Sequence, residues 1–331
     1  MTEVSEIGVA GEWWLGEDTA LSFDRTIDRR QVHRSAVSEV FVTDVRALGE
    51  SRVALAAQLP ACHAYFGDHV SADVDPLLVM EICRQAGLAT AYELGVSTDS
   101  VLATESWDLR IAEPQAWRAG GSAAIDLRID SEFTWSRVRR GRPRAGTCRQ
   151  RVFFEGRQVA TLDAASRFLD HGELAVVRAA QRGSPPPWTA DLAGRADPEV
   201  VEPHVVGRRD PLNVVLAALE LGADEVSARI ALPLENRALF DHSYDHVTMQ
   251  VLVEAARQLA TAALGAPGDR YLARLTGRFV RFAELDSPVT LRAAWSASEA
   301  AEREFGVVVE QEGRVVAEIA PTIARTPRSR S

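Results

Sequence analysis

The chain of 331 residues contains no lysine: all 37 of its basic residues are arginine. That excludes Schiff-base chemistry and a lysine phosphate clamp, and leaves arginine to bind any anionic substrate. Cysteine is scarce as well. Cys62, Cys83 and Cys148 are odd in number and form no C-x-x-C pair, which excludes a disulfide framework and a zinc site and fits a reduced compartment. No apolar run approaches the roughly 18 residues that span a bilayer. The start, Met1-Thr2-Glu3-Val4-Ser5-Glu6, lacks the basic-then-apolar pattern of a secretory leader, so a cytoplasmic protein is expected. Positive charge is in deficit: the net charge is −10 and the pI is near 5.3, which argues against nucleic acid or anionic membrane as the partner. What remains is 46% apolar and 25% charged, the range of soluble globular chains, with length for about two domains.

The most informative feature present is an internal repeat. Pro60, Asp68-His69, Glu81 and Arg84-Gln85 recur as Pro233, Asp241-His242, Glu254 and Arg257-Gln258, all at a constant offset of 173 residues. Glu155-Gly156-Arg157 recurs as Glu312-Gly313-Arg314 at an offset of 157, so the first copy carries 16 additional residues in between. Two long copies are a duplicated domain rather than a solenoid. The expected divisions are an N-terminal extension over 1–29, a first copy over 30–170, a linker over 171–202 that contains Pro185-Pro186-Pro187, a second copy over 203–321 and a frayed tail over 322–331.

Each copy has a legible order of elements. Segment 51–59 reads as a strand. Asp75-Pro76 then opens a helix with a carboxylate cap and proline at the first helical position, running to about Glu93 before Gly95. In the second copy Thr248 is the expected cap, and Gly265 with Pro267 ends the helix. Alternating stretches follow: Ile125, Leu127 and Ile129 in the first copy, Val289, Leu291, Ala293 and Trp295 in the second. That period of two is the mark of an antiparallel sheet. The Glu-Gly-Arg segments read as hairpin turns. The fold class is therefore α+β, with one long helix and an antiparallel sheet per copy.

Both helices are apolar almost all round. With Glu254 set at zero on a helical wheel, Arg257, Gln258, Gln250 and Thr261 all fall within about 60° of it. Glu81, Arg84 and Gln85 form the same stripe in the first copy. A carboxylate on such a helix must be paired, solvated or facing a cavity. One reading is an i,i+3 ion pair at a wet edge. The other is a pocket-lining acid whose pKa burial raises for proton transfer, with an arginine beside it for an anion. His69 and His242 stand twelve residues ahead of the glutamates, in the loops before the helices, whereas His246 has no histidine counterpart. Cys83, opposite Ala256 in the repeat, reads as packing rather than as a nucleophile.

These residues resemble the hotdog superfamily, in which a sheet wraps a long helix. Phe240-Asp241-His242 followed by Glu254-Ala255-Ala256-Arg257-Gln258 is similar to the thioester dehydratases of fatty-acid synthesis. More specifically, the chain resembles the A-factor biosynthesis hotdog family of actinobacteria. The stretches that carry the likeness are Val32-His33-Arg34 with Glu39-Val40, Asp75-Pro76-Leu77-Leu78 through Glu81 to Arg84-Gln85-Ala86-Gly87, and Asp245-His246-Val247 before the second helix. One departure stands out: Thr248-Met249 occupy the place where that family has Pro-Gly.

The resemblance implies a double hotdog and an acyltransferase without a cofactor. It would join a β-ketoacyl thioester, carried by acyl carrier protein or CoA, to the hydroxyl of dihydroxyacetone phosphate, towards a gamma-butyrolactone, butenolide or furan signalling molecule. Glu81, Glu254 and Arg257 are then the expected catalytic residues, so that Glu254→Gln abolishes ester formation while leaving the fold intact. Arg84, Gln85, His69, His242, His246 and Gln258 are the expected substrate contacts. A monomer or a homodimer is compatible with two copies in one chain. A hotdog dehydratase or thioesterase, or a non-catalytic acyl-binding shell, are the competing readings. The run Arg137-Val138-Arg139-Arg140-Gly141-Arg142-Pro143-Arg144 reads as a solvated loop or as a docking site for an acidic carrier protein.

Overall fold

Asp75 starts the first helix as its residue type predicts: its carboxylate accepts the Leu77 amide at 2.9 Å, and Pro76 takes the first helical position. The computed structural model describes residues 20–69, 74–117, 124–192, 198–265, 268, 270–294 and 300–326. Pro267, Trp295, most of the expected N-terminal extension and the end of the expected tail lie outside the described residues. The first half runs β1 (Val42–Ala47), β2 (Arg52–Leu59), α1 (Pro76–Glu93), β3 (Val101–Ile111), β4 (Ile125–Arg139), β5 (Arg142–Phe154) and β6 (Arg157–Leu169). Helix α2 (His171–Arg182) follows. The second half runs β7 (Leu216–Leu221), β8 (Glu225–Ile230), α3 (Met249–Leu264), β9 (Arg270–Phe279), β10 (Thr290–Ala294), β11 (Glu302–Glu304), β12 (Val307–Gln311) and β13 (Arg314–Arg325).

All the strands join one antiparallel sheet in the order β1-β2-β4-β5-β6-β3-β9-β13-β12-β10-β8-β7, with β11 on β13. The order is a palindrome about the β3·β9 pair, where Ser106 to Arg110 meet Arg278 to Arg274. The duplication seen in the sequence thus becomes two half-sheets fused edge to edge. Arg274 reinforces the seam with two hydrogen bonds to Asp108, at 2.9 and 2.8 Å.

The inner face of each half-sheet buries its helix. Leu55, Leu127, Ile129 and Val152 pack in one core with Val79, Ile82 and Ala86 of α1; Val226, Leu291 and Val309 do the same for Val251, Ala255 and Leu259 of α3. No residue of α1 from Pro76 to Tyr92 is exposed. Truncating such a core side chain to alanine costs about 2–5 kcal/mol. The hairpins β5–β6 and β12–β13 turn through Glu155-Gly156 and Glu312-Gly313, whose φ angles of 47°, 75°, 51° and 70° are those of a tight two-residue turn.

Three segments depart from the sequence expectation. The basic run 137–144 is not a loop: it continues β4 and β5 around Arg140-Gly141, and Arg144 pairs with Asp170 and Glu173 at the start of α2. Residues 171–182, expected as linker, form α2 because Asp170 and Glu173 close a capping box. Strand β13 continues past Pro321 to Arg325. The Pro321 carbonyl accepts the Phe305 amide at 3.0 Å, so the missing proline N–H falls opposite the break between β11 and β12 and costs no ladder bond.

Candidate active site

Each helix buries its glutamate completely, and each glutamate is held between two arginines. Glu81 accepts from Arg84, one turn on, through Nε and Nη2, both at 2.8 Å. On its other side Arg34 approaches with Nε at 3.1 Å and Nη2 at 2.8 Å. Glu254 is built likewise: Arg257 at 2.8 and 2.7 Å, and Arg208 at 3.1 and 2.9 Å. The gripping arginines come from equivalent places. A short 3-10 turn, Arg29–Val32 or Pro203–Val206, ends in a left-handed residue, His33 (φ 53°) or Gly207 (φ 76°), and the next residue is the arginine.

This arrangement overturns the expectation of a raised carboxyl pKa. Burial pushes both glutamates up, but two guanidiniums and the amide donors outweigh it, so each falls from 4.5 to about 2. Neither is suited to take a proton near neutrality. They are permanent anions that fix the arginines. Cys83 is buried with its thiol pKa pushed up, as a packing residue would be.

Gln85 and Gln258 are spent on the protein. The Gln85 carbonyl accepts the Phe41 amide at 2.9 Å, and its Nε2 donates to the Glu39 carbonyl and to Glu81. Gln258 repeats this with Val215, Asn213 and Glu254. These amides tie each helix to the strand beside it. Arg84 bonds through Nε and Nη2, which leaves Nη1 without a protein partner among the described residues.

The loops before the helices cross between halves. Arg84 and Arg34 face a cavity of about 1980 Å³ whose other wall is the second half's His242, Tyr244, His246, Thr248 and Gln250. Arg257 faces a cavity of only about 70 Å³, with His69, Asp75 and Pro76 from the first half. The sequence left open which repeat holds the site; the structure places Arg84, His242 and His246 at the large cavity and Arg257 and His69 at the small one.

The large cavity holds two aspartate–histidine pairs. His242 Nδ1 lies 2.6 Å from Asp241 Oδ1, and His246 Nδ1 lies 2.6 Å from Asp245 Oδ1. Asp241 is also held by the Ser35 amide at 2.8 Å, by Tyr244 Oη at 3.2 Å and by Arg34 Nη1 at 3.7 Å. Although burial opposes it, the His242 bond and Arg34 bring the Asp241 pKa down to about 2. Glu81, Arg34, Asp241 and His242 therefore form one linked chain of polar contacts across the two halves. Its counterpart is broken: Asp68 accepts from Asn213 and the backbone amides of Arg209 and Asp210, not from His69. His69 is left with a pKa lowered by burial.

The helix starts differ too. Asp75 caps α1, whereas Thr248 makes no side-chain cap bond to α3 and its Oγ1 has no partner among the described residues. The start of α3, Thr248 to Gln250, lines the large cavity, and amides that a helix start leaves uncapped are ready donors to an anion. Arg34 enters the sequence reading only as part of the stretch that carries the family likeness, Arg208 not at all, and neither as a site residue. Their signal was present in Val32-His33-Arg34 and Val206-Gly207-Arg208, but the offset there is 174 rather than 173, one residue out of frame.

A family model described as the A-factor biosynthesis hotdog domain matches residues 16–170 and 190–327. The chain is 35% identical over 272 residues to the 2-oxo-3-(phosphooxy)propyl 3-oxoalkanoate synthase of Streptomyces virginiae, covering 81% of this chain and 87% of the relative. It is 30% identical over 283 residues to the synthase of the same name from Streptomyces coelicolor, covering 84% and 83%. Among solved structures, the dehydratase domain from the CurF module of curacin polyketide synthase superposes with a TM-score of 0.50 at 12% identity, over 86% of this chain and 97% of that one. That last likeness speaks for the fold alone. With the model matching both halves, the chain belongs to the A-factor biosynthesis hotdog family.

Proposed function

We propose that this protein is an acyltransferase that joins a 3-oxoalkanoyl thioester to the free hydroxyl of dihydroxyacetone phosphate, and that the reaction runs in the large cavity alone. The ester named in its relatives, 2-oxo-3-(phosphooxy)propyl 3-oxoalkanoate, is the product of that transfer. The observation that carries the site assignment is the Glu81–Arg34–Asp241–His242 chain, which aims an oriented imidazole at the cavity. In this reading the molecule is a double hotdog, with copies over 30–170 and 203–321 and one long helix central to each.

Asp241 holds the proton of His242 on Nδ1, so Nε2 is the base. Nε2 takes the proton of the acceptor hydroxyl as its oxygen attacks the thioester carbon. The carbonyl electrons move to oxygen, where the uncapped amides of α3 receive the charge. Collapse restores the carbonyl, breaks the C–S bond and expels the thiolate, which recovers the proton from His242. Arg84, fixed by Glu81 yet with Nη1 unspent, is the seat for the phosphate. Leu252, Phe279 and Phe282 give the acyl chain an apolar wall. In this role Glu81 is a positioning residue, and Glu254 with Arg257 a structural twin.

Acyl carrier protein and CoA are both fitting donors, and the cytoplasm is the fitting compartment. The test is an incubation of 3-oxoacyl thioester with and without dihydroxyacetone phosphate, followed by mass spectrometry. A phosphorylated ester that needs the acceptor and vanishes in His242→Gln is expected. Thiol release independent of the acceptor would mean hydrolysis instead.

A further inference from the structure

One more polar pair reaches the large cavity through one of its members. His33 lines it, and its Nε2 is hydrogen-bonded to Tyr92 Oη near the end of α1. Nδ1 of the same ring has no protein partner among the described residues. His33 sits in the left-handed region, at φ 53° and ψ 50°, where a side chain is strained and glycine is not. The repeat makes this telling. The residue equivalent to His33 is Gly207, and the residue equivalent to Tyr92 is Gly265. Both glycines line the small cavity. Where the small cavity is lined by two glycines, the large one is lined by His33, held by its hydrogen bond to Tyr92 and kept at a backbone cost that the sister position avoids.

We propose that His33 is a substrate-binding residue that donates Nδ1–H to a ketone oxygen of a substrate, with Tyr92 as the positioning residue that fixes its tautomer. Tyr92 Oη–H donates to Nε2, which puts the ring proton on Nδ1. Burial, Arg84 and His242 all disfavour the imidazolium, bringing the His33 pKa from 6.5 to about 4. A neutral donor suits a neutral carbonyl; an anionic group would be matched by the arginines instead. The ketone belongs either to the 3-oxo group of the donor or to dihydroxyacetone phosphate. This inference rests on the acyl-transfer reading for the identity of its substrates.

The test is His33→Gly, which copies the sister position and relieves the backbone, so folding is expected to survive. Its kcat/KM is compared with that of the parent for four pairs: a 3-oxoacyl or saturated acyl thioester, each with dihydroxyacetone phosphate or glycerol 3-phosphate. A loss of about tenfold or more is expected with both ketones present. It should shrink to within about twofold when the donor ketone is removed, or when the acceptor ketone is removed, and so identify the source. An equal loss with all four pairs, or no loss, overturns the proposal. A second measurement stands apart from turnover: nitrogen NMR of the histidine rings. It should find His33 neutral and protonated on Nδ1 from about pH 5 to 8, a state lost in Tyr92→Phe. Its Nδ1 resonance should move on adding acetoacetyl-CoA or dihydroxyacetone phosphate. A proton on Nε2, an ordinary titration, or no response to either compound overturns the proposal even if the parent protein makes no ester. A parent that makes no ester while the NMR signature holds counts against acyl transfer and for the His33–Tyr92 pair.

Discussion

The two halves share a helix, a buried glutamate and a pair of arginines, yet among the described residues only one of the two places where these meet has room for a substrate. At α1 the opposing loop brings Asp241–His242 and Asp245–His246, the α3 start is uncapped, and the cavity is about 1980 Å³. At α3 the opposing Asp68 is consumed by backbone amides, Asp75 caps its helix, and about 70 Å³ remains. The glutamate and arginines therefore belong to the architecture of both halves. What distinguishes them is the loop that each half lends to the other.

The sharpest way to break this comparison is at the histidines. His242→Gln is expected to lower kcat about 10³-fold or more, the scale of a lost general base. His69→Gln should leave it within about threefold. Comparable losses in steady-state ester formation would show that both cavities work. The glutamates come next. Glu254→Gln leaves Arg208 and Arg257 without their counter-ion in the core, and an unfolding loss of about 3–5 kcal/mol is expected, with kcat of the folded fraction near normal. Glu81→Gln should match that loss in a denaturant titration and also fall at least tenfold in kcat.

Acid sharpens the same point. Both glutamates have folded pKa values depressed from 4.5 to about 2, so their contribution is complete above 4.5 and disappears as pH falls towards 2. The acid-unfolding curve of Glu254→Gln should be flatter than that of the parent between those limits; parallel curves would contradict the assignment. The smallest effect is expected at the caps. Thr248→Asp makes the α3 start resemble that of α1, so a gain of about 1 kcal/mol in stability should accompany a fall in kcat. A stabilised variant with full activity would remove the α3 amides from the mechanism.

Much of this was readable in the sequence where the cause is local. The Asp75-Pro76 cap, the Glu-Gly turns and the alternation around Leu127 each fix structure within a few residues, and the elements appear there. The internal repeat conveyed the duplication because matching local signals recur at one offset. The carboxylate chemistry was not readable. The pKa of Glu81 depends on Arg34, 47 residues away, and that of Glu254 on Arg208, 46 residues away. Both arginines sit one residue out of the repeat's register. Nor does a sequence say that the loop of one half faces the helix of the other, since that follows from the β3·β9 seam. Strands β4 and β5 ran longer than expected because arginine side chains can flank a hairpin as readily as a loop.

Helix α2 has a practical consequence. Its buried Arg178 donates to Asp245 at 3.1 Å and to Glu284 at 2.7 Å, so the stretch between the halves braces the loop that carries His246. Chimeras between members of this family should therefore be spliced ahead of Asp170, keeping α2 with the half it braces. A crossover at the Pro185-Pro186-Pro187 stretch, attractive on paper, would pair a foreign strut with the native loop.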